Sequence, residues 1–314
     1  MTTASKESLS TMEEPFFFSN KNYRLFSILH HPADPKSLHG ETGVVFCDPF
    51  AEEKLWAHRV FVNFARLLSK NSYWVLRFDC MGHGDSDGNY EDANVETQLS
   101  DIRRAVGVLK EKARVKNVML LGARFGGTLS ALAAANVDEV DGMVLWSPVV
   151  NGEKYFQDCL RSNLTTQMTT YRKINYTREQ MVRDLLGGKA VNIDGYLISP
   201  EFYKQISRIR LNEVMPSCKK PLLMIQIHKE ENARIDKEVQ ELQGALKQAG
   251  RPAQFGTVKG EPFWRELNTF PQRLDALFAT TLDWINRQND PAVSGSGDPS
   301  RLTETRAGTE KGSD

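Results

Sequence analysis

The sequence predicts an α/β fold with a mostly parallel, doubly wound sheet of about eight strands and helices on both faces. From Gly43 onward, short apolar runs alternate with amphipathic helical stretches. The apolar runs are continuous rather than alternating, which is typical of parallel strands buried on both faces. The alternation stops once, between Val150 and Lys219, where no strand-like run is found. These observations favour one large α/β domain that carries a single insertion.

The strands are predicted as follows. Residues 15–18 and 24–29 bracket a turn at Asn20, Lys21 and Asn22, which predicts an opening antiparallel hairpin. The later apolar runs are residues 44–47, 73–78, 118–121, 143–146, 222–227 and, more weakly, 253–258.

Helices are predicted between these runs. Apolar residues recur at helical spacing within 60–68 and 99–109, residues 125–135 are rich in Ala and Gly, and residues 236–248 and 274–287 supply the last two helices. Residues 151–219 are expected to form polar helices, broken at Gly187 and Gly188, that make a cap over the strand ends. The core is then 15–150 and 220–288. The polar start, residues 1–14, is expected to be flexible, and the Gly-, Ser- and Thr-rich tail, 289–314, to be disordered.

The composition restricts the class of protein. The 314 residues are 40% hydrophobic and 25% charged, which is typical of a globular protein, and Lys+Arg and Asp+Glu both number 40. No net charge favours nucleic acid or an anionic membrane, and no apolar run approaches the ~20 residues of a membrane span. The start does not resemble a signal peptide, and the four scattered cysteines lack metal-ligand spacing. We therefore expect a cytoplasmic protein with reduced cysteines and neither metal nor cofactor.

One motif is central to the functional prediction. Residues 120–127 read Leu-Leu-Gly-Ala-Arg-Phe-Gly-Gly and join an apolar strand to the Ala-rich helix. This context matches the nucleophile elbow Gly-x-Ser-x-Gly, in which glycines let the strand and the helix close around a strained central residue. The central residue is Arg124, whose guanidinium stays protonated and has no lone pair for attack. An ordinary Gly-rich turn is the alternative.

The other positions of a Ser–His–acid triad are only partly filled. Such a triad needs a nucleophile, a base within hydrogen-bond reach, and a carboxylate that orients the base. The acid position after Ile227 offers Glu230 or Glu231, but residues 258–264, after the last strand, contain no histidine. Conventional triad catalysis is therefore not expected, and whether the protein is an enzyme stays open.

These features resemble the α/β-hydrolases. The loop from Asp79 to Ser86 matches their Asp-x-x-Gly-His-Gly-x-Ser pattern, in which His83 is expected to hold the loop together rather than to catalyse. Within that group the chain resembles the exosortase A system-associated hydrolases of the second type. The resemblance extends from Pro15 to about residue 288 and is carried by the stretches 15–17, 48–54, 82–86, 195–200 and 260–264 and by the Arg-bearing elbow. It implies an α/β-hydrolase fold and an accessory role in bacterial exopolysaccharide and protein-sorting systems.

The elbow suggests a binding site. A guanidinium beside the amides of Phe125 and Gly126, which open a helix, favours a carboxylate or a phosphate. Alternatively, Glu52 or Glu53 neutralises the guanidinium in an internal salt bridge, and Glu261 is a third carboxylate that could do so. Aromatic residues, Phe263 among them, either line the site or belong to the core. The candidate ligand-binding residues are Arg124, Phe125, Phe50, Glu52, Glu53, His83, Asp85, Glu261 and Trp264.

Two functions are compatible with these residues. The first is a non-catalytic protein that binds a small anionic or acyl ligand under the cap, with exopolysaccharide or exosortase-system proteins as partners. The second is an acyl ester or thioester hydrolase with an unconventional nucleophile or an activated water. The groups that would serve the second are Asp48, Glu52, Glu53, His83 and Asp85.

Overall fold

The structure is a computed structural model that describes residues 12–230, 234–251, 253–265 and 274–289. Its central sheet is formed by β1 (Glu13–Asn20), β2 (Tyr23–His30), β3 (Thr42–Cys47), β4 (Trp74–Phe78), β5 (Asn117–Ala123), β6 (Gly142–Trp146), β9 (Leu222–His228) and β10 (Ala253–Lys259), and a separate hairpin by β7 (Val191–Ile193) and β8 (Tyr196–Ile198). The order in the sheet is β1-β2-β4-β3-β5-β6-β9-β10. Within this sheet the pairs β1–β2 and β2–β4 are antiparallel, and the other five pairs are parallel.

Helices cover both faces of this sheet. The helices of the described residues are α1 (Glu52–Lys70), α2 (Val95–Ala113), α3 (Phe125–Asn136), α4 (Gly152–Tyr171), α5 (Arg178–Leu186), α6 (Pro200–Ile206), α7 (Leu211–Val214), α8 (Lys237–Gln248) and α9 (Asp275–Asn289), of which α4 to α7 belong to the insertion. Buried residues of α1 and α9 pack on one face, and those of α2, α3 and α8 pack on the other. The predicted doubly wound, mostly parallel sheet of eight strands is confirmed.

The apolar runs mark the strands because these strands are buried on both faces. Every residue of β3 and β6 is buried, so a continuous apolar sequence is needed there. The opening hairpin also forms, with Lys21 at φ 53° in its turn. Positive φ at this position is typical of a tight hairpin turn.

The predicted ends of the chain need correction. Glu13 and Glu14 belong to β1 rather than to a flexible start, and Glu14 is held by a hydrogen bond with His31 and an ion pair with Lys112. Asn289 ends α9 and accepts a hydrogen bond from Thr42 at 2.8 Å, so it is not part of a loose tail. The rest of both predicted ends, residues 1–11 and 290–314, lies outside the described residues.

Residues 151–219, which we call the inserted segment, are not purely helical. The hairpin β7–β8 lies within it, contrary to the prediction of helices alone. The two ends of the segment lie side by side. Asn151 and Arg210 form an antiparallel bridge, Gly152 N–H donates to Ile209 at 3.1 Å, and Leu211 N–H donates to Val150 at 2.9 Å. The segment therefore leaves the core and returns to it at one place.

Candidate functional site

The turn between β5 and α3 has the backbone that the elbow motif predicts. Arg124 adopts φ 53° and ψ −125°, an unusual conformation for a residue with a side chain. Its flanking glycines are required by close backbone contacts. A Cβ on Gly122 would lie 2.3 Å from the carbonyl oxygen of Gly126, and one on Gly126 would lie 2.1 Å from that of Cys47. The strand and the helix can therefore approach this closely only because both positions lack a side chain.

A second turn repeats this geometry. Ala51, between β3 and α1, adopts φ 49° and ψ −126°. Arg124 precedes the first residue of α3, and Ala51 precedes the first residue of α1, so each strained residue opens a helix. Glu53 lies in the first turn of α1 and contacts Arg124 directly. The site is thus built where two helix N-termini meet beside the ends of β3 and β5.

Arg124 is neutralised by Glu53. Its Nε donates to Glu53 Oε1 at 3.2 Å, and its Nη1 donates to the carbonyl oxygen of Ser147 at 3.2 Å. The hydroxyl of Tyr155 donates to Glu53 Oε2 at 2.8 Å, so both oxygens of the carboxylate are bonded. Among the described residues no acceptor bonds Nη2 of Arg124. The guanidinium therefore has two of its nitrogens bonded to protein, and the third, Nη2, can donate to a ligand.

Aromatic rings enclose the ion pair. The guanidinium carbon of Arg124 lies 5.4 Å from the ring centre of Tyr155 and 5.1 Å from that of Trp264, both within cation–π range. Burial acts to lower the pKa of Arg124, but the Glu53 carboxylate, together with Tyr155 and Cys159, outweighs it, and the pKa is raised. Burial and the same carboxylate raise the pKa of Tyr155 well above its usual value. Arg124 is therefore a permanent cation, and Tyr155 is a permanent hydrogen-bond donor.

The ion pair forms part of the wall of a cavity of about 600 Å³. The aromatic residues of the wall are Phe50, Trp56, Tyr155, Tyr196 and Trp264. Its charged residues are Glu52, Glu53, Asp158, Asp194, Arg124 and Arg265. A smaller cavity of about 290 Å³ is also lined by Arg124, Tyr155 and Asp158. The elbow thus lies between two spaces, and the wall of the larger one combines aromatic rings with a net acidic charge.

Four of the nine candidate residues do not lie in this wall. Phe125 is 1% exposed and packs against Phe50 and Phe202 as core. Glu261 forms an ion pair with Lys229 at 2.8 Å rather than with Arg124.

His83 and Asp85 are held in the loop that contains them. Nδ1 of His83 lies 2.9 Å from the carbonyl oxygen of Met81, and burial lowers the pKa of His83 to about 4. Asp85 is exposed, and its N–H donates to Asp79 at 3.1 Å. His83 therefore ties its own loop together in the neutral form, in agreement with the sequence prediction.

The predicted acid positions are also located. Glu230 is exposed just beyond β9, and Glu231 lies outside the described residues. Asp48 is bound by Lys54 at 3.0 Å, and Lys54 also contacts Asp79. The loop after β10 brings Trp264, rather than a base, over Arg124.

Sequence reasoning missed the residues that the inserted segment contributes. Tyr155, Asp158 and Cys159 come from α4, and Tyr196 comes from the hairpin β7–β8. The hairpin has a usable signal, because Asp194-Gly195 is a typical two-residue turn sequence. No comparable signal identifies Tyr155, since its partner Glu53 is 102 residues away along the chain.

The described residues hold no group of three His, Cys, Asp or Glu side chains suited to a metal ion. Within the same residues no helix is long and apolar enough to cross a membrane. All four cysteines are free.

Known proteins resemble this chain in sequence and in fold. The family model of the serine aminopeptidases, S33, matches residues 45–200, just under half of the chain. A comparison with curated protein sequences finds no match. Among solved structures, Est1E from Butyrivibrio proteoclasticus with bound ferulic acid is 17% identical, with a TM-score of 0.62 over 87% of this chain and 98% of that one.

Two further structures give the same result. The esterase Pf2001 of Pyrococcus furiosus is 18% identical, with a TM-score of 0.60 over 91% of this chain and 95% of that one. A hypothetical protein of Pseudomonas aeruginosa is 14% identical, with a TM-score of 0.59 over 90% and 98%. At such low identities the likeness concerns the fold. Together with the parallel sheet and the strained turn at Arg124, it identifies this chain as a protein of the α/β-hydrolase fold.

Proposed function

We propose that this protein binds a small acyl ligand in the 600 Å³ cavity beneath the inserted segment, without hydrolysing it. The observation that carries the proposal is Arg124 itself. A guanidinium clamped by Glu53 stands at the strained turn where the fold would present a nucleophile. It cannot attack a carbonyl carbon, but its Nη2 can donate to a carbonyl or carboxylate oxygen. The inserted segment then acts as a cap that covers the bound ligand.

The cavity favours an acyl ligand over a highly charged anion. Its wall carries four carboxylates and two guanidinium groups, so a phosphate would meet more repulsion than attraction. The aromatic residues provide apolar surface for a chain or a ring. A ligand with an apolar body and one polar end at Arg124 fits both features.

The sequence resemblance adds a setting to this proposal. It implies an accessory of bacterial exopolysaccharide and protein-sorting systems that works in the cytoplasm. An acyl-binding protein without turnover would serve such a system by holding or delivering a precursor. Proteins of that system are the partners that this setting implies.

A hydrolase remains the second candidate, and the acidic wall of the cavity favours it. Glu53 and Glu52 lie at the elbow, where a carboxylate could activate a water for attack on an ester or thioester. Glu53 already accepts two hydrogen bonds, one on each carboxylate oxygen, from Arg124 and Tyr155, and a water would have to compete with these donors for the same oxygens. This competition is why we favour binding.

The two candidates are separated by measuring binding and turnover on the same purified protein. Octanoate should raise the melting temperature by about 2–3 °C at ten times its Kd, whereas inorganic phosphate should not. Release of p-nitrophenol from p-nitrophenyl butyrate should not exceed the rate in buffer. Turnover that disappears in Glu53→Gln would establish the hydrolase instead.

The role of Arg124 is tested by Arg124→Met, which keeps the length of the side chain and removes its donors. The shift caused by octanoate, measured from the variant's own melting temperature, should disappear. Arg265→Ala is the matched control, because Arg265 also lines the cavity but is exposed and has no bond to Glu53. An equal loss in both variants would contradict a specific role for Arg124.

A further inference from the structure

A basic and apolar surface lies at one end of the inserted segment. Residues 168–174, which we call the α4–α5 tip, end α4 and begin the loop to α5. Three of its large apolar side chains are exposed: Met168 by 48%, Tyr171 by 61% and Ile174 by 46%. Between the last two lie the exposed cations Arg172 and Lys173. Large apolar side chains beside free-standing cations are unusual on a surface that faces only water.

The charge of this region departs from the rest of the chain. Residues 161–190 contain six Lys or Arg and two Asp or Glu, although the whole chain has a formal net charge of zero. Among the described residues, Arg172 and Lys173 form no ion pair, whereas Arg178 pairs with Glu179 at 3.0 Å. The positive charge at the tip is therefore not neutralised locally.

The tip is held in shape by a buried glutamine. Gln167, which is 7% exposed, accepts hydrogen bonds from the N–H groups of Asn175 at 2.9 Å and Tyr176 at 3.0 Å. Its amide nitrogen donates to the carbonyl oxygen of Tyr176 at 2.9 Å. The loop cannot fold its apolar residues inward without losing these bonds. The exposure of Tyr171 and Ile174 is thus built into the structure.

The tip also adjoins the ligand cavity. A groove of about 370 Å³ is lined by Tyr171 of the tip, by Tyr176 just beyond it, and by Glu52, Thr166 and Asp194. The last three residues also line the 600 Å³ cavity. The groove at the tip and the cavity at the elbow are therefore neighbours that share three wall residues.

We propose that the α4–α5 tip docks this protein on the surface of an anionic lipid bilayer. Apolar side chains beside Lys and Arg are the combination that binds an interface, the former by entering the headgroup region and the latter by attracting anionic lipids. Nucleic acid would use the cations but would gain nothing from Met168 and Ile174. The groove then offers an acyl ligand a route from the bilayer into the cavity. This route rests on the proposed function, whereas docking does not.

Docking is tested with the full chain and vesicles of phosphatidylcholine, with and without about 30% phosphatidylglycerol. The protein should float with the anionic vesicles only, and binding should weaken when NaCl rises from ~0.1 to ~0.5 M. Arg172→Glu/Lys173→Glu should lower the partition coefficient at least about twenty-five-fold, at roughly fivefold for each of the two cations removed. Lys70→Glu/Arg103→Glu makes the same charge change on exposed positions of α1 and α2 and should bind normally.

The apolar variant distinguishes a bilayer from other anionic partners. Met168→Ser/Ile174→Ser keeps every charge and should still lower vesicle binding at least about tenfold. Unchanged binding in this variant, or an equal loss in the Lys70 and Arg103 control, would overturn the proposal. All tip variants should keep their octanoate-induced melting shift, because none alters the cavity wall beside Arg124. Loss of that shift in wild type would instead refute the proposed function alone.

Discussion

The ion pair between Arg124 and Glu53 gives the sharpest test of the site. Both side chains are 21% exposed, and Arg124→Ala leaves Glu53 with the Tyr155 hydroxyl as its remaining described donor. Breaking a buried pair costs about 3–5 kcal/mol, and the partial exposure of this one favours the lower end, about 3 kcal/mol. For a domain of about 270 residues that loss lowers the melting temperature by about 5 °C. Arg124→Lys should recover only part of it, because a lysine cannot bond Glu53 and Ser147 with the same geometry.

The measurement is a double-mutant cycle of Arg124→Ala and Glu53→Ala by urea unfolding. The coupling free energy should be about 1–2 kcal/mol, because the two groups share a hydrogen bond. Lys116→Ala is the control. Its pair with Glu41 is shorter, at 2.6 Å, but the two side chains are 69% and 45% exposed. That variant should lose less than about 1 kcal/mol.

The reasoning would be refuted if Arg124→Ala cost no more than this control and the coupling stayed below about 0.5 kcal/mol. In that event Glu53 would not neutralise Arg124 in solution, and a bound anion would have to do so. The same melts with octanoate and phosphate would then identify that anion.

Three further predictions concern the elbow and the buried histidines. Serine-directed phosphonates should leave the protein unlabelled, which mass spectrometry of the treated protein checks. Arg124→Ser should gain no activity in a p-nitrophenyl ester assay, because a serine without a base is not deprotonated at neutral pH. The melting temperature should fall as pH is lowered from about 6.5 to about 4, since burial lowers the pKa of His30 and His83 to about 4 and the unfolded chain takes up protons first. His83→Gln should make this fall shallower, and an unchanged slope would exclude His83 as its source. Gly126→Ala should prevent stable folding, whereas Gly244→Ala, whose added Cβ has nothing within 4 Å, should stabilise α8 by up to about 1 kcal/mol. The soluble yield and the unfolding free energy of both variants check this prediction.

The sheet could be predicted from the sequence because its strands are buried on both faces. A continuous apolar run such as that of β9, flanked by helices, predicts a buried parallel strand. The hairpin β7–β8 was missed because each strand has three residues, too short for a period to be visible. The strand start at Glu13 was missed because β1 begins with two acidic residues whose partners lie elsewhere in the chain.

The site was predictable only in part. The elbow motif located Arg124, since close backbone contacts impose the glycines beside it. The sequence could not choose between Glu52 and Glu53, because neighbouring residues of a helix point about 100° apart and the orientation of α1 is set by packing. Nor could it place Trp264 over the guanidinium, which depends on how the loop after β10 returns to the sheet. Contacts between segments that are far apart in the chain depend on the tertiary structure and leave no local pattern in the sequence.

Because the two ends of the inserted segment are adjacent, the segment could be exchanged as a unit for an insertion from another protein. Because Val150 bonds Leu211 and Gly152 bonds Ile209, the chain enters and leaves this region at a single point. A different helical insertion whose ends have the same spacing could replace the segment through two junctions, and the central sheet would keep its structure. The part of the cavity wall that α4 and the hairpin β7–β8 form can thus change by replacing one contiguous stretch of sequence, with Arg124 and Glu53 untouched. Recombination acts on contiguous stretches, which makes this architecture easy to diversify.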